Sequence, residues 1–244
     1  VSAGDETLRV TRDGDVVRLH LNMPETGNRI PQAVVSRLAR ELQAVAADAT
    51  AKLVLITAEG AHFCQGRDQS KVTAADKPTA LELRTRMMDP IVDVYTAFRA
   101  VQVPIVALVQ GEAHGFGAAL AGSADITIAA EDARFSFPEM KSDMPPTLAM
   151  ATVIDRVAPK ALAWMVYTTD SISAADARQA GLVSHVVPAA ELVAAGQRVV
   201  DQLLQRTRPA LVGVKQYIAH ARLQDFAHAA DYGRNLLAVV LSSR

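Results

Sequence analysis

The chain has 244 residues, half of them hydrophobic, with 25 basic and 26 acidic side chains and a formal net charge of −1. That length fits one large domain, or one domain with a helical appendage, and that apolar share is enough for a sizeable core. The balanced charge removes the electrostatic case for nucleic acid, no apolar run is long enough to cross a bilayer, and the single cysteine, Cys64, excludes an internal disulfide. A soluble cytoplasmic protein is the expectation.

In chain order, Leu8 to Thr11 and Val16 to Leu21 are predicted strands joined at Asp13-Gly14, a hairpin turn signal. Pro24 to Asn28 reads as a loop. Pro31 suits the first turn of a helix reaching about Ala47, with Val34, Leu38, Leu42 and Val45 on one face. Lys52 to Thr57 is a predicted buried strand, and Glu59 to Asp68 a loop holding Gly60 and Gly66. Asp76 to Pro78 breaks the chain. Thr79 to Ala100 is a predicted helix with an apolar face through Met87, Ile91, Val94 and Phe98.

The β-branched run Ile105 to Val109 is a predicted buried strand, followed by a turn marked by Gly111, Gly115 and Gly117. The small residues Ala118 to Ala121 suit a helix packed tightly on its neighbours. A second apolar run, Asp125 to Ala130, leads through Phe135, Phe137 and Pro138 to Glu139. From Thr147 the pattern is mostly helical, broken by a strand at Leu182 to Val187. Ser173 to Asp176 carries a capping pattern, and Gly181 stops that helix. Ala189 to Gln205, Pro209 to Ala221 and Leu223 to Leu241 complete the helices. Alternating strands and helices argue for α/β layering, with residues 1–188 as the core and 189–244 as a helical region. No repeat of solenoid period is present.

Two features carry chemistry. A strand, a Gly-rich turn and a helix start leave unpaired backbone N–H groups aimed outward, an arrangement suited to an oxyanion or another anion. Glu139 lies between Phe137, Pro138 and Met140. Burial there raises a carboxyl pKa and suits it to carry protons near neutral pH.

Five ordered stretches then resemble one family: LNMPETGNRI at 21–30, VLITAEGAHFCQGRD at 54–68, PIVALVQGEAHGFGAALAGSADI at 104–126, ARFSFPEM at 133–140 and ISAADARQAGLVSHVVP at 172–188. The chain is similar to the enoyl-CoA hydratase/isomerase (crotonase) superfamily. The resemblance implies a crotonase-like spiral of ββα units with a C-terminal helical region at subunit contacts, in a homotrimer or a dimer of trimers. It implies a coenzyme A thioester as substrate, with no permanently bound cofactor, processed through an enolate.

By that resemblance the oxyanion donors are the backbone N–H groups of Arg67 and Phe116, the latter standing where the family usually has glycine. A family hydratase uses two glutamates; the first position here is Ala119, and the second is retained as Glu139. One carboxylate suffices to move a proton between carbons, so double-bond isomerisation through Glu139 is the preferred reaction. Hydration, or ring-opening hydrolysis, requires Asp143 or His114 as a second group, and decarboxylation of an acyl-CoA stays open within the fold. Asp143 reads first as the cap of a helix near Thr147 or as a loop residue, and His114 equally as a satisfied, partly buried histidine. From another class, a non-catalytic acyl-CoA binder or partner subunit stays open.

The CoA part is expected along Asn28–Arg29, Ala61–Phe63 and Gly66–Asp68, beside Gly115. Arg29 is the candidate phosphate contact, with Lys215 a weaker candidate at the nucleotide end, and Asp68 fixes its loop. The Arg67 side chain points to an acyl carboxylate or carbonyl, or else to solvent. His62 and Cys64 invite a nucleophile pair, against which stands inert packing. The six histidines show no ligand spacing, so no metal is expected, and neither a phosphate loop nor a dinucleotide fingerprint is present.

Overall fold

A computed structural model describes residues 4–68 and 78–242; Asp76 and Lys77 of the expected chain break lie outside them. A single helical turn, α1 (Gly4–Thr7), enters the hairpin β1 (Leu8–Asp13) and β2 (Val16–Leu21). Then come α2 (Gln32–Ala47), with Pro31 as the extended residue before it, and β3 (Leu53–Ala58).

The helix expected over 79–100 is built in three pieces: α3 (Ala80–Leu83), a π turn at Arg84–Met88, and α4 (Asp89–Ala100). Thr79 and Glu82 close a capping box at its start. Pro90 explains the π turn: it has no N–H and its ring crowds the carbonyl four residues back, so the backbone widens just before it. One of its widened bonds runs from Asp89 N–H to the Arg84 carbonyl.

The chain continues through β4 (Ile105–Val109), β5 (Glu112–His114), α5 (Phe116–Ser123), β6 (Ile126–Ala130) and β7 (Arg134–Ser136). A 3-10 turn at Pro138–Ser142 leads to α6 (Thr147–Val153), α7 (Pro159–Thr168), β8 (Ile172–Ser173), α8 (Ala174–Ala180) and β9 (His185–Val187). The last helices are α9 (Leu192–Leu204), α10 (Arg208–Ala221) and α11 (Phe226–Ser242).

Among the described residues the main sheet has six strands in the order β1-β2-β3-β4-β6-β9, antiparallel only between β1 and β2. A second sheet, β5-β7-β8, stands apart from it. The continuous apolar runs of β3 and β4 follow from burial on both faces. Val54, Ile56, Ile105, Ala107 and Val109 enter the large core under α2, α4 and α5, while Leu53, Leu55, Val106 and Leu108 enter a smaller one. Leu192, Ala195 and Val200 of α9 complete that smaller core, so the helical region starting at 189 is partly packed body. α10 and α11 lie against each other, and α11 buries no residue.

α5 is apolar all round and buried from Phe116 to Gly122, as a helix in the middle of a protein must be. Gly117 allows its closest approach: a Cβ there would lie 2.8 Å from Cys64 Cβ and nearer still to the Cys64 carbonyl oxygen. The first turn of α5 is thereby pressed directly onto the loop that follows β3.

Candidate active site

The carboxyl ends of the parallel strands β3 and β4 lie side by side, the usual place for a site in such sheets. Three side chains bind the loops that leave them. Asn28, fully buried with φ 53, accepts the Met23 N–H at 2.8 Å and donates to the carbonyls of Glu59 (2.8 Å) and His62 (2.7 Å). Gln110 donates to the Ala58 carbonyl at 2.8 Å and the Gly60 carbonyl at 3.1 Å. Gln65 donates to the Glu112 carboxylate.

Main-chain ladders decide which groups remain outward. Ile30 and Arg67 form a parallel bridge whose hydrogen bonds run from Ile30 N–H to the Gly66 carbonyl and from Asp68 N–H to the Ile30 carbonyl, both near 2.9–3.0 Å. In a parallel bridge the central residue's own N–H faces away from its partner. The Arg67 N–H accordingly donates to no backbone group among the described residues. The same holds for Phe116, the first residue of α5, whose N–H has no partner one turn back. Gly66 and His114 hold the two loops in register: a Cβ on Gly66 (φ 102) would stand 3.3 Å from the His114 carbonyl oxygen.

Glu139 closes the site from the 3-10 turn. A Cβ on Gly115 (φ 50) would lie 2.5 Å from Glu139 Oε1, so glycine is needed at 115 both for its left-handed backbone and for room. The carboxyl thus rests against the residue that precedes the helix start. Its Oε2 is buried without a hydrogen-bond partner. Burial pushes its pKa above 4.5, offset in part by its own N–H. Ala119, where the family's first glutamate would stand, is fully buried in α5.

Other candidates fall differently. Asp143 is exposed and does not cap α6. It ends the 3-10 turn at φ 54, and Pro146, with no side-chain cap bond, precedes Thr147, because two prolines separate Asp143 from the helix. His114 has both ring nitrogens engaged: Nδ1 lies 2.7 Å from Ser136 Oγ and Nε2 lies 3.5 Å from the Glu112 carboxylate. Burial lowers its pKa from 6.5, partly countered by Glu112. Phe63 is fully buried and serves as core, whereas Ala61 and Arg29 are exposed at the rim, and Asp68 is half-buried.

The His62–Cys64 pair is not a nucleophile. His62 Nδ1 accepts the Glu112 N–H at 3.2 Å, while Cys64 is fully buried and its thiol is pushed up to about 12 by desolvation. Lys215 is not a free cation for a nucleotide. It is buried, 2.8 Å from Asp125 and 2.9 Å from the Val103 carbonyl. It borders a cavity of about 460 Å³, which lies at the other end of α5. The cations around that cavity are spent: Arg99 and Arg222 on Asp155, and Arg156 on the carbonyls of Gly122 and Ala124. The end bearing Glu139, with outward N–H groups and a desolvated carboxyl, is the better chemical site. No cluster of three His, Cys, Asp or Glu able to hold a metal occurs among the described residues.

Two residues beside these groups, Tyr95 and Gln32, are not marked as site residues by their sequence. Tyr95 of α4 is buried, with its ring 5.7 Å from that of Phe116 and within electrostatic reach of both Glu139 and Arg67. The signal was a polar-tipped residue beside the apolar stripe of that helix. Gln32 opens α2 and accepts a hydrogen bond from Arg67 Nη2. Nothing in its local pattern marked it.

An α/β body with a buried Gly-flanked helix start facing one desolvated glutamate defines a crotonase-fold enzyme. The chain belongs to the enoyl-CoA hydratase/isomerase family, whose sequence profile matches residues 11–238, and it processes acyl-CoA. It is 30% identical over 216 residues to 2,3-dehydroadipyl-CoA hydratase of Escherichia coli, covering 88% of this chain and 82% of that one. An enoyl-CoA hydratase structure from Mycobacterium smegmatis superposes with a TM-score of 0.89 at 26% identity, covering 96% and 90% of the two chains. A Thermobifida fusca protein solved in complex with CoA superposes at 0.87 with 28% identity, covering 98% and 94%. No helix among the described residues is long and apolar enough to cross a membrane.

Proposed function

We propose that the enzyme moves a proton on the acyl group of a CoA thioester, shifting a double bond, with Glu139 as the single acid and base. The observation that carries this is the Glu139 carboxyl, desolvated and without a partner on Oε2, resting against Gly115, while the first glutamate position is Ala119. The N–H groups of Arg67 and Phe116 stabilise the enolate, each worth about 3 kcal/mol. Glu139 removes a proton from one carbon and returns it to another, so no second carboxylate is required. Positions 29, 61, 66, 68 and 115 form the channel for the CoA part. Gly66 and Gly115 keep it open by lacking a side chain, and Arg29 meets a phosphate at the rim. His114 serves as a positioning residue, binding the Glu112–Gln65 network to the turn before Gly115.

The relative named as a hydratase favours water addition as the second reading. That route needs a second group at the water. Asp143 is exposed and His114 is doubly engaged, which lends it less support. CoA enters as substrate, and no resident cofactor is part of the mechanism. The exposed Phe226, Leu237 and Val239 of α11 suit a subunit contact in a homotrimer or a dimer of trimers.

The test is incubation of β,γ- and α,β-unsaturated acyl-CoAs in deuterated water, read by mass and NMR. Deuterium at carbon or a moved double bond, lost in Glu139→Gln, is expected. Net addition of water by the wild type overturns the isomerase reading. Binding of CoA thioesters without exchange or turnover on any of them points to a non-catalytic binder.

A further inference from the structure

The Arg67 side chain is placed for recognition. Among the described residues no carboxylate is paired with it. Its Nη2 donates to Gln32 Oε1, and its Nη1 reaches the Met87 carbonyl in the π turn only at 3.5 Å. Its Nε is buried with no acceptor, and so is Gln32 Nε2. A guanidinium stays charged and carries five N–H donors in a planar fork. A half-buried guanidinium with unspent donors and no counter-charge is a costly arrangement for folding alone.

The group borders the reacting centre. Tyr95 is within electrostatic reach of both Arg67 and Glu139, and its ring lies 5.7 Å from Phe116. Tyr95 thereby links the Arg67–Gln32 pair to Phe116, whose N–H opens α5, and to the Glu139 carboxyl. Arg67 and the Gln32 amide offer several converging donors and one net positive charge. A carboxylate answers with two oxygens and the opposite charge; a lone ketone or hydroxyl offers one acceptor and no charge.

We infer that the site selects CoA thioesters whose acyl group carries its own carboxylate, held by the Arg67 guanidinium with Gln32 beside it. This rests on the acyl-CoA reading of the site and adds the class of acyl group. Phe116, in place of the smaller residue usual at that position, supplies an apolar wall for the intervening carbons.

Saturated ligands separate recognition from turnover. Calorimetric titration compares adipyl-CoA with its neutral monomethyl ester and with hexanoyl-CoA, and repeats the acid–ester pair for glutaryl- and suberyl-CoA. The free acid is expected to bind at least about thirtyfold more tightly than its ester at one or more lengths, the lower end of what an unpaired buried charge costs. In Arg67→Gln that ratio should fall below about threefold, and Gln32→Leu should reduce it in part. The acid–ester comparison on the wild type stands even if a variant folds poorly. Equal affinity for acid and ester at every length, or a ratio that survives Arg67→Gln, overturns the inference and leaves acyl-CoA binding intact. Failure of every thioester to bind overturns the acyl-CoA reading and this inference with it.

Discussion

Gly117→Ala isolates the contact that holds the two proposed oxyanion donors together. The new Cβ would lie 2.8 Å from Cys64 Cβ and closer to the Cys64 carbonyl oxygen, where real Cβ contacts stay beyond 3.0 Å. The neighbour is backbone, so no rotamer change relieves it. α5, carrying the Phe116 N–H, and the loop carrying the Arg67 N–H must part by on the order of 1 Å, a displacement that costs roughly a hundredfold in rate. Overpacking adds about 1–3 kcal/mol of lost stability. Gly14→Ala is the control: its backbone is left-handed (φ 56), unlike that of the helical Gly117, and nothing lies within 4 Å of the added Cβ, so it costs about 1 kcal/mol through strain alone. The assay is deuterium exchange at the acyl carbons, beside thermal unfolding of both variants. Gly117→Ala should lose about two orders of magnitude in exchange rate while Gly14→Ala keeps the wild-type rate. A folded Gly117→Ala protein exchanging within about threefold of wild type refutes the argument that this packing sets the site.

Glu139→Gln should lower exchange by about 10²–10⁴-fold, measured in the same way. Because burial raises the Glu139 pKa above 4.5, the wild-type rate should fall with decreasing pH at a point above that value. The sign for stability follows: the folded state holds this proton more tightly, so the contribution is fully present below pH 4.5 and is lost as pH rises through the folded value. Glu139→Gln should remove that slope in denaturant titrations across the window. Cys64, buried with its thiol pushed up to about 12, should resist alkylation in the native protein at pH 8 and react at once after denaturation; prompt native labelling would contradict the packing described. Lys215→Met leaves Asp125 without its ion-pair partner and should cost about 3 kcal/mol in denaturant unfolding, with CoA affinity unaltered.

Much of this was legible because periodicity reports burial. The apolar runs of β3 and β4 mark buried strands in an α/β layering, and the small residues of α5 mark close packing. The role of Gly115 was legible only as a turn; that it makes room for Glu139 depends on residues 24 positions apart. The π turn before Pro90 was hidden because a helical stripe looks the same whether or not one turn is widened. Lys215 misled for a related reason: an isolated lysine on a helix reads as solvent-facing, and only the fold brings Asp125 to it. Gln32 carries no local mark and Tyr95 only a weak one, since their partners come from three separate elements.

The bridge between Ile30 and Arg67 has one more consequence. Its hydrogen bonds belong to Gly66 and Asp68, so the outward N–H at 67 exists for any residue other than proline. In the proposed mechanism the reaction is written in the main chain at that position and the choice of acyl group in the side chain. The two are inherited separately. Randomising residue 67 alone should therefore yield a set of enzymes that share one chemistry and differ in what they accept, with Pro as the one member that loses both.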